Sequence, residues 1–291
     1  MKKAMMFVLL AAFLSWSPVA RAGRGMIQIK GSDTLINLVQ RLAEVYMEGH
    51  PGKYIAVTGG GSGTGIAALI NGKCDIADAS RVMKPKEEAR VAKSGRQVHR
   101  VVIAMDGLSV IVNAANPVDR LTMDQVGAIF RGDITNWKDV GGPEMPITLY
   151  GRQSNSGTFI FFRDTVLKGD YSQKMNRMNG NAQIVESVKK DRTGIGYVGV
   201  GYVKEATGLK VLKIASHPGG NYADPLNKED VEKGIYPITR PLNQYIGGQV
   251  SPEARAFIEF ELSPKGQAIV QQEGFFPVSA EYKALNRRAG F

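Results

Sequence analysis

Short apolar runs of strand length alternate along the chain with segments whose apolar residues recur at helical spacing. The first run, residues 26–29, precedes a stripe of apolar residues that share one helical face, namely Leu35, Leu38, Leu42, Val45 and Tyr46. The other strand-like runs are residues 54–58, 75–79, 100–104, 109–113, 147–150, 195–203 and 209–214. The other helical segments are residues 64–71, 86–93, 122–130, 158–167, 182–190, 253–262 and 265–272. Thr122 and Gln125 fit a capping box at the start of residues 122–130. This alternation predicts an α/β fold.

The strand-like runs at residues 100–104 and 109–113 mark a candidate boundary between domains. They are joined through Met105-Asp106-Gly107, which we interpret as a crossover from one domain to the other. The run at residues 209–214 is the candidate for the return crossover. A chain of 291 residues is also long enough to suggest two domains. We therefore predict a discontinuous domain I, residues 23–105 and 205–291, and a domain II of residues 106–204.

The first 22 residues have the features of a secretory signal peptide. Lys2 and Lys3 precede an apolar run at residues 4–14, and Ala20-Arg21-Ala22 fits a signal peptidase site. The apolar run is shorter than the roughly 20 residues that a membrane helix needs. The residue directly after the cleavage site is Gly23 and not a cysteine to which a lipid could be attached. We therefore expect a soluble periplasmic protein whose mature chain starts near Gly23.

The charge and the cysteine content exclude several classes of function. The formal net charge is +10, but no dense Lys/Arg block with interleaved aromatic residues occurs, so nucleic acid is not an expected partner. Cys74 is the single cysteine, which rules out an intrachain disulfide and favours a buried inert thiol. His50, His99 and His217 do not lie at metal-ligand spacing. We therefore expect neither a metal site nor a cofactor.

Four segments place glycine or hydroxyl-bearing residues directly after a strand, and three of them open a helix. They are Gly31-Ser32-Asp33-Thr34, the glycine-rich residues 59–65, Ala79-Ser80-Arg81, and Gly151-Arg152-Gln153-Ser154-Asn155-Ser156-Gly157-Thr158. The first turn of a helix presents unpaired N–H groups and a positive dipole end, and glycine lets a ligand approach the backbone. Such turns bind anions, and an arginine can bind an oxyanion through two parallel hydrogen bonds. Together the segments predict a site for a small oxyanion.

Each segment also has a plainer interpretation. Asp33 could cap its own helix, and residues 59–65 could form a flexible turn. Arg152 could form a structural ion pair. The combination favours the anion site, because the carboxyl ends of the strands of an α/β sheet are where ligands bind.

These segments resemble those of PstS-like phosphate-binding proteins of ABC transporters. The matching stretches, in the order of that family, are residues 31–34, 59–65, 75–81, 132–137 with Gly141-Gly142, 151–158 and 194–198. The resemblance implies a two-domain class II periplasmic-binding-protein fold with a ligand cleft between the domains. It also implies a monomer that captures inorganic phosphate and delivers it to an ABC transporter permease in the inner membrane.

The resemblance also implies a set of ligand contacts. Thr34, Leu35, Ser62, Arg152, Ser156, Gly157 and Thr158 match the family's binding positions. The family has a carboxylate where this chain has Ser80, and a second one two residues after the arginine, where this chain has Ser154. Asp106 is either a substitute proton acceptor or a turn residue before Gly107. The full set of candidate ligand-binding residues is Ser32, Asp33, Thr34, Leu35, Ser62, Ser80, Asp106, Arg152, Ser154, Ser156, Gly157 and Thr158.

Three other functions are alternatives to phosphate capture. The sequence around Ser62 lacks the last glycine of the Gly-x-Ser-x-Gly motif, and residues 59–65 lack the lysine of a phosphate-binding loop, so no catalytic residue is expected. The same fold could bind sulfate, arsenate or molybdate, because the two carboxylates that accept a phosphate proton are missing. It could also serve as a surface or adhesion protein.

Overall fold

The computed structural model describes residues 25–291. The predicted signal peptide, residues 1–22, lies outside the described residues. Two five-stranded sheets and one two-stranded sheet carry the helices of the described chain. No helix among residues 25–291 is both long and apolar enough to cross a bilayer.

The first sheet has the strand order β2-β1-β3-β12-β4. Its strands are β1 (Met26–Gly31), β2 (Tyr54–Thr58), β3 (Ile76–Ala79), β4 (Val98–Gly107) and β12 (Thr239–Gly247). β1 pairs in parallel with β2 and β3, so the carboxyl ends of these three strands lie at one edge. β12 is antiparallel to both of its neighbours. The predicted strands of this sheet are confirmed, and β12 is a strand that the sequence analysis missed.

The second sheet has the strand order β10-β5-β9-β7-β8. Its strands are β5 (Ser109–Asn113), β7 (Thr148–Arg152), β8 (Asn176–Met178), β9 (Gly194–Val198) and β10 (Leu209–Val211). β7 pairs in parallel with β8 and β9. The two-stranded sheet consists of β6 (Arg120–Thr122) and β11 (Lys213–Ala215).

Ten α-helices occur among residues 25–291, and eight of them correspond to predicted ones. They are α1 (Ile36–Gly49), α2 (Ser62–Ile70), α3 (Pro85–Ala92), α4 (Met123–Arg131), α5 (Gly157–Phe162), α6 (Asn181–Lys190), α7 (Lys228–Glu232), α8 (Pro252–Leu262), α9 (Pro264–Gln272) and α10 (Ala280–Arg288). The predicted stripe on α1 is buried at Leu38, Leu42 and Tyr46. The predicted capping box at Thr122 and Gln125 opens α4. A π-helical turn, Arg163–Leu167, continues α5.

The chain crosses from the first sheet to the second between β4 and β5. Met105, Asp106 and Gly107 lie within β4 rather than in a turn. The predicted return at residues 209–214 is wrong, because β10 pairs with β5 in the second sheet and β11 pairs with β6. The chain rejoins the first sheet only at β12. An apolar run indicates a strand, but its sheet depends on partners that lie far away in sequence.

Candidate functional site

The predicted segments meet where the strands of both sheets end. β1, β2 and β3 of the first sheet and β7 of the second lead into them, and α1, α2 and α5 start there. Six hydroxyl-bearing side chains at this junction are at most 3% exposed, namely Ser32, Thr34, Ser62, Ser80, Ser156 and Thr158. We call these six residues the hydroxyl cluster. The strand ends therefore bring together residues from all four predicted segments.

Hydrogen bonds connect the hydroxyl cluster across the two sheets. The Oγ atoms of Ser32 and Ser80 lie 2.9 Å apart, and Ser62 Oγ accepts the Ser80 N–H at 3.1 Å. Thr158 Oγ1, which follows the second sheet, is 2.9 Å from Thr34 Oγ1 and 3.3 Å from Ser80 Oγ. A hydroxyl both donates and accepts a hydrogen bond, so the cluster can serve either role toward a ligand.

Gly157 marks a close approach between the two sides of the junction. A Cβ atom added at Gly157 would lie 2.3 Å from Ser62 Oγ and 2.9 Å from Ser80 Oγ. On the other side, a Cβ added at Gly31, whose φ is +147°, would lie 2.1 Å from the carbonyl oxygen of Asp78. Both positions therefore require glycine, the first for contact across the cleft and the second for contact between strands.

Arg152 is 1% exposed, and two of its guanidinium nitrogens have no hydrogen-bond partner among the described residues. Its Nη2 donates to Asp33 Oδ2 and to the carbonyl oxygen of Asn179. Its Nε and Nη1 have no hydrogen-bond partner among residues 25–291. An unpaired buried polar group is unfavourable, so these two N–H groups are available to an oxyanion. The alternative of a purely structural ion pair accounts for only one of the three guanidinium nitrogens.

Asp33 does not cap its own helix, since no side-chain cap hydrogen bond forms at the start of α1. Asp33 Oδ1 accepts the Gly60 N–H at 3.0 Å, and Oδ2 accepts from Arg152. The carboxylate therefore pairs with the arginine from the opposite side of the cleft.

Two of the predicted binding residues, Ser154 and Leu35, do not offer a free donor to the site. Ser154 is exposed in the turn before α5, where the Ser156 N–H donates to the Gln153 carbonyl at 3.0 Å. Leu35 is fully buried, and its N–H donates to the Ser32 carbonyl at 3.1 Å. The structure therefore does not bring the Ser154 side chain to the site, and the Leu35 N–H already has a partner.

Asp106 is neither a free proton acceptor nor a turn residue. Its Oδ2 accepts from Nε and Nη2 of Arg240 at 2.9 and 2.7 Å, and its Oδ1 accepts the Val200 N–H at 2.9 Å. Arg240 Nη1 donates to the Ser80 carbonyl at 3.0 Å. Burial lowers the pKa of Arg240, and the Asp106 charge opposes that shift. The pair thus supports Ser80, and Arg240 is a residue that no sequence motif indicated.

We predict that Asp106→Asn destabilises the fold, because it leaves the Arg240 charge buried without its counter-ion. Both side chains are at most 1% exposed, and breaking such a pair costs about 3–5 kcal/mol. Urea unfolding measures the loss. The control is Asp133→Asn, which removes an exposed partner of Arg131 and is expected to cost less than about 1 kcal/mol. Equal losses for the two variants would contradict the prediction.

Two further residues connect the sides of the cleft and were missed as functional. The Asn155 carbonyl accepts the Gly63 N–H at 2.9 Å, and its Nδ2 donates to the Gly60 carbonyl at 2.9 Å. The Tyr202 hydroxyl donates to the Asp33 carbonyl at 2.5 Å. The Asn155 contacts join the glycine-rich loop to the turn after β7, and the Tyr202 contact joins the segment before α1 to the residues that follow β9, so the two sides of the cleft are in contact.

Comparison with known proteins places the chain in a family. The model of the PBP superfamily domain matches residues 18–265, so the chain belongs to the PBP superfamily of binding proteins. Within it the chain is a member of the PstS-like phosphate-binding proteins. It is 34% identical to the phosphate-binding protein PstS of Pseudomonas aeruginosa, over 88% of this chain and 84% of that protein. It is 32% identical to PstS of Staphylococcus aureus, over 89% and 80%.

Solved structures agree with this assignment. A putative phosphate ABC transporter substrate-binding protein with bound phosphate, from Clostridium perfringens, matches with a TM-score of 0.77 and 28% identity, over 88% of this chain and 100% of that one. An ABC-type phosphate transport receptor from Vibrio cholerae matches with a TM-score of 0.70 and 30% identity, over 87% and 100%. The expected α/β two-domain periplasmic-binding-protein fold is confirmed.

Proposed function

We propose that this protein captures inorganic phosphate in the cleft between its two sheets and delivers it to an ABC importer. The observation that carries the proposal is the buried Arg152 guanidinium, whose Nε and Nη1 lack a partner among the described residues beside the hydroxyl cluster. An arginine fork together with hydroxyl donors suits a tetrahedral oxyanion. The names of the PstS relatives and the phosphate bound in the Clostridium perfringens structure support this ligand.

The charges around the site balance without a ligand. Arg152 pairs with Asp33, and Arg240 pairs with Asp106. Buried contacts of this kind are screened only weakly by salt. Phosphate affinity is therefore expected to fall only modestly as the salt concentration rises, whereas binding by the exposed basic residues would weaken steeply.

Selectivity among oxyanions depends on what accepts a ligand proton. Asp33 and Asp106 are both engaged with arginine, and Ser80 stands at the family's other acceptor position. A hydroxyl oxygen can accept a hydrogen bond from a protonated oxygen of the ligand, and because it is uncharged it does not repel an unprotonated dianion. The protein is therefore expected to prefer phosphate and arsenate over sulfate less strictly than a site with a free carboxylate would.

Titration calorimetry of the mature chain, residues 23–291, tests the ligand. Phosphate is expected to give the strongest binding, and sulfate and molybdate are expected to bind more weakly. Heat from sulfate and none from phosphate would overturn the assignment. If no oxyanion binds, the surface or adhesion role becomes the better explanation.

We further propose that the protein is a periplasmic monomer with no catalytic activity. Ser62 Oγ contacts the Ser80 hydroxyl and N–H rather than an imidazole. Burial, together with the charge of Asp75, raises the pKa of the Cys74 thiol to about 12, so this thiol is a poor nucleophile. We retain the predicted domain II, residues 106–204, but propose that it also includes residues 205–215, since β10 and β11 pair with strands of that part of the chain.

A further inference from the structure

Three buried polar side chains beside the hydroxyl cluster have no part in the proposed function. Asp78 on β3, Gln244 on β12 and Glu261 on α8 are 2%, 0% and 0% exposed. Asp78 and Gln244 are direct partners across the β3–β12 pair. Gln244 Nε2 donates to Glu261 Oε1 at 3.1 Å. We call these three residues the acid cluster.

Each member of the acid cluster has one oxygen without a hydrogen-bond donor among the residues that the structure describes. These atoms are Asp78 Oδ1, Gln244 Oε1 and Glu261 Oε2. If both carboxyl groups were ionised, two buried negative charges would share a single amide as donor. A protonated carboxyl group instead brings an O–H donor of its own. Protonation therefore supplies the donors that the acid cluster lacks.

No cation among residues 25–291 compensates the acid cluster. The causes that shift the pKa of Asp78 and Glu261 include no positively charged group. The charged or titratable side chains on the packed elements are Lys30 on β1, Cys74 before β3, His99, Arg100 and Asp106 on β4, Arg240 and Tyr245 on β12, Glu253, Arg255 and Glu259 on α8, Lys265 on α9, and Arg41, Glu44, Tyr46 and Glu48 on α1. Arg240 pairs with Asp106, and Arg255 pairs with Glu259. Glycine, hydroxyl and apolar residues make up α2, which adds no charge.

The direction of the pKa shifts agrees with the geometry. Burial raises the pKa of Asp78 to about 8, and the hydrogen bond from Gln244 opposes this shift only in part. Burial raises the pKa of Glu261 well above its ordinary value, and the nearby Asp78 carboxyl raises it further. Two carboxyl groups in one apolar environment disfavour each other's ionisation.

We propose that Asp78 and Glu261 are neutral carboxylic acids at neutral pH, and that together they form a proton-binding site whose ionisation in alkaline solution loosens the segments that carry Ser32 and Ser80. The Asp78 carbonyl accepts the Ser32 N–H at 3.0 Å, and Ser80 lies two residues further along the chain. The link to anion binding rests on the proposed function, whereas the protonation of the two acids does not.

The sign of the pH dependence follows from linkage. Between the ordinary carboxyl pKa and the raised one, the native state holds more protons than the unfolded state. The free energy of unfolding therefore falls as the pH rises through that window. The unfolding equilibrium constant increases up to about tenfold per pH unit for each group.

Urea unfolding of the mature protein between pH 4 and pH 9.5, without phosphate, tests the stability effect. The wild type is expected to lose stability as the pH rises, and Asp78→Asn and Glu261→Gln are each expected to flatten that slope. The matched control, Glu259→Gln, lies on the exposed side of α8 and should retain the wild-type slope. Curves for Asp78→Asn and the wild type that run parallel over the whole range would overturn the proposal.

Infrared spectroscopy of the wild type tests protonation without any variant. The carbonyl band of a buried neutral carboxylic acid is expected at pH 7 and should disappear as the pH rises above 9. Absence of that band at pH 7 overturns the proposal. Stabilisation of the wild type, but not of Asp78→Asn, by Na⁺, Mg²⁺ or Ca²⁺ also overturns it, because a metal ion would then occupy the acid cluster.

Phosphate titrations at each pH test the link to the anion site. The ratio of wild-type to Asp78→Asn affinity is expected to fall by about tenfold or more between pH 6 and pH 9.5. A constant ratio, with the infrared band lost as expected, overturns the link alone. If phosphate does not bind at any pH, the proposed function fails while the infrared and unfolding results still decide the protonation of the acids.

Discussion

Replacing Arg152 with alanine is expected to weaken phosphate binding by a factor of about 30 to several thousand. The loss corresponds to about 2–5 kcal/mol, the range for truncating one partner of a buried charged hydrogen-bonded pair. Arg152 supplies two unpartnered donors from a 1% exposed position, so no water replaces it at low cost. The truncation also leaves Asp33 without its arginine, which adds a negative charge beside the incoming anion.

Titration calorimetry on the mature protein measures this loss, and Lys84→Ala is its control. Lys84 is a partly exposed residue before α3 whose backbone N–H bonds to Glu87, away from the hydroxyl cluster. Its replacement should change phosphate affinity by less than about threefold, as for a screened surface charge. Equal losses for the two variants would remove Arg152 from the binding site.

Gly157→Ala is expected to weaken phosphate binding by roughly 5- to 150-fold without lowering the stability of the phosphate-free protein. The added methyl group would meet Ser62 Oγ at 2.3 Å and Ser80 Oγ at 2.9 Å across the cleft. Overpacking of this kind costs about 1–3 kcal/mol, and here it arises only when the two sides close on each other. The open form would keep its folding contacts.

Gly180→Ala is the matched control for this variant. Gly180 precedes α6 on the side of the second sheet, its φ is −137°, and a Cβ added there meets no atom within 4 Å. Calorimetry gives the affinity, and thermal unfolding without phosphate gives the stability. If Gly157→Ala unfolds at a lower temperature and binds as tightly as Gly180→Ala, the contact is part of the fold rather than of cleft closure.

Local patterns were sufficient to predict much of the fold and the outline of the site. Apolar periodicity predicted α1, and reciprocal side-chain signals predicted the start of α4. Strand ends followed by glycine and hydroxyl residues predicted the hydroxyl cluster. These signals work because strand alternation, helix capping and exposed helix-start donors depend on residues a few positions apart.

The strand β12 could not be predicted from such local patterns. Its sequence includes Arg240, Pro241, Asn243 and Gln244, which do not alternate as a half-buried strand does. Pro241 is tolerated because β3 pairs with β12 only from Asn243 onward, and the register shifts after Leu242. Polar residues occupy this central strand because each finds a buried partner, and partners cannot be deduced from spacing.

The sequence by itself determined the class of fold and the four segments that build the anion site, because those features are encoded within short stretches of chain. Only the tertiary structure decided which charges those segments meet. Asp33 pairs with Arg152 across 119 positions, and Asp106 pairs with Arg240 across 134. It also decided that the run at residues 209–214 stays with the second part of the chain. Pairings of this kind depend on how strands from distant parts of the sequence assemble, and burial then fixes which charged groups pair and which carry a proton.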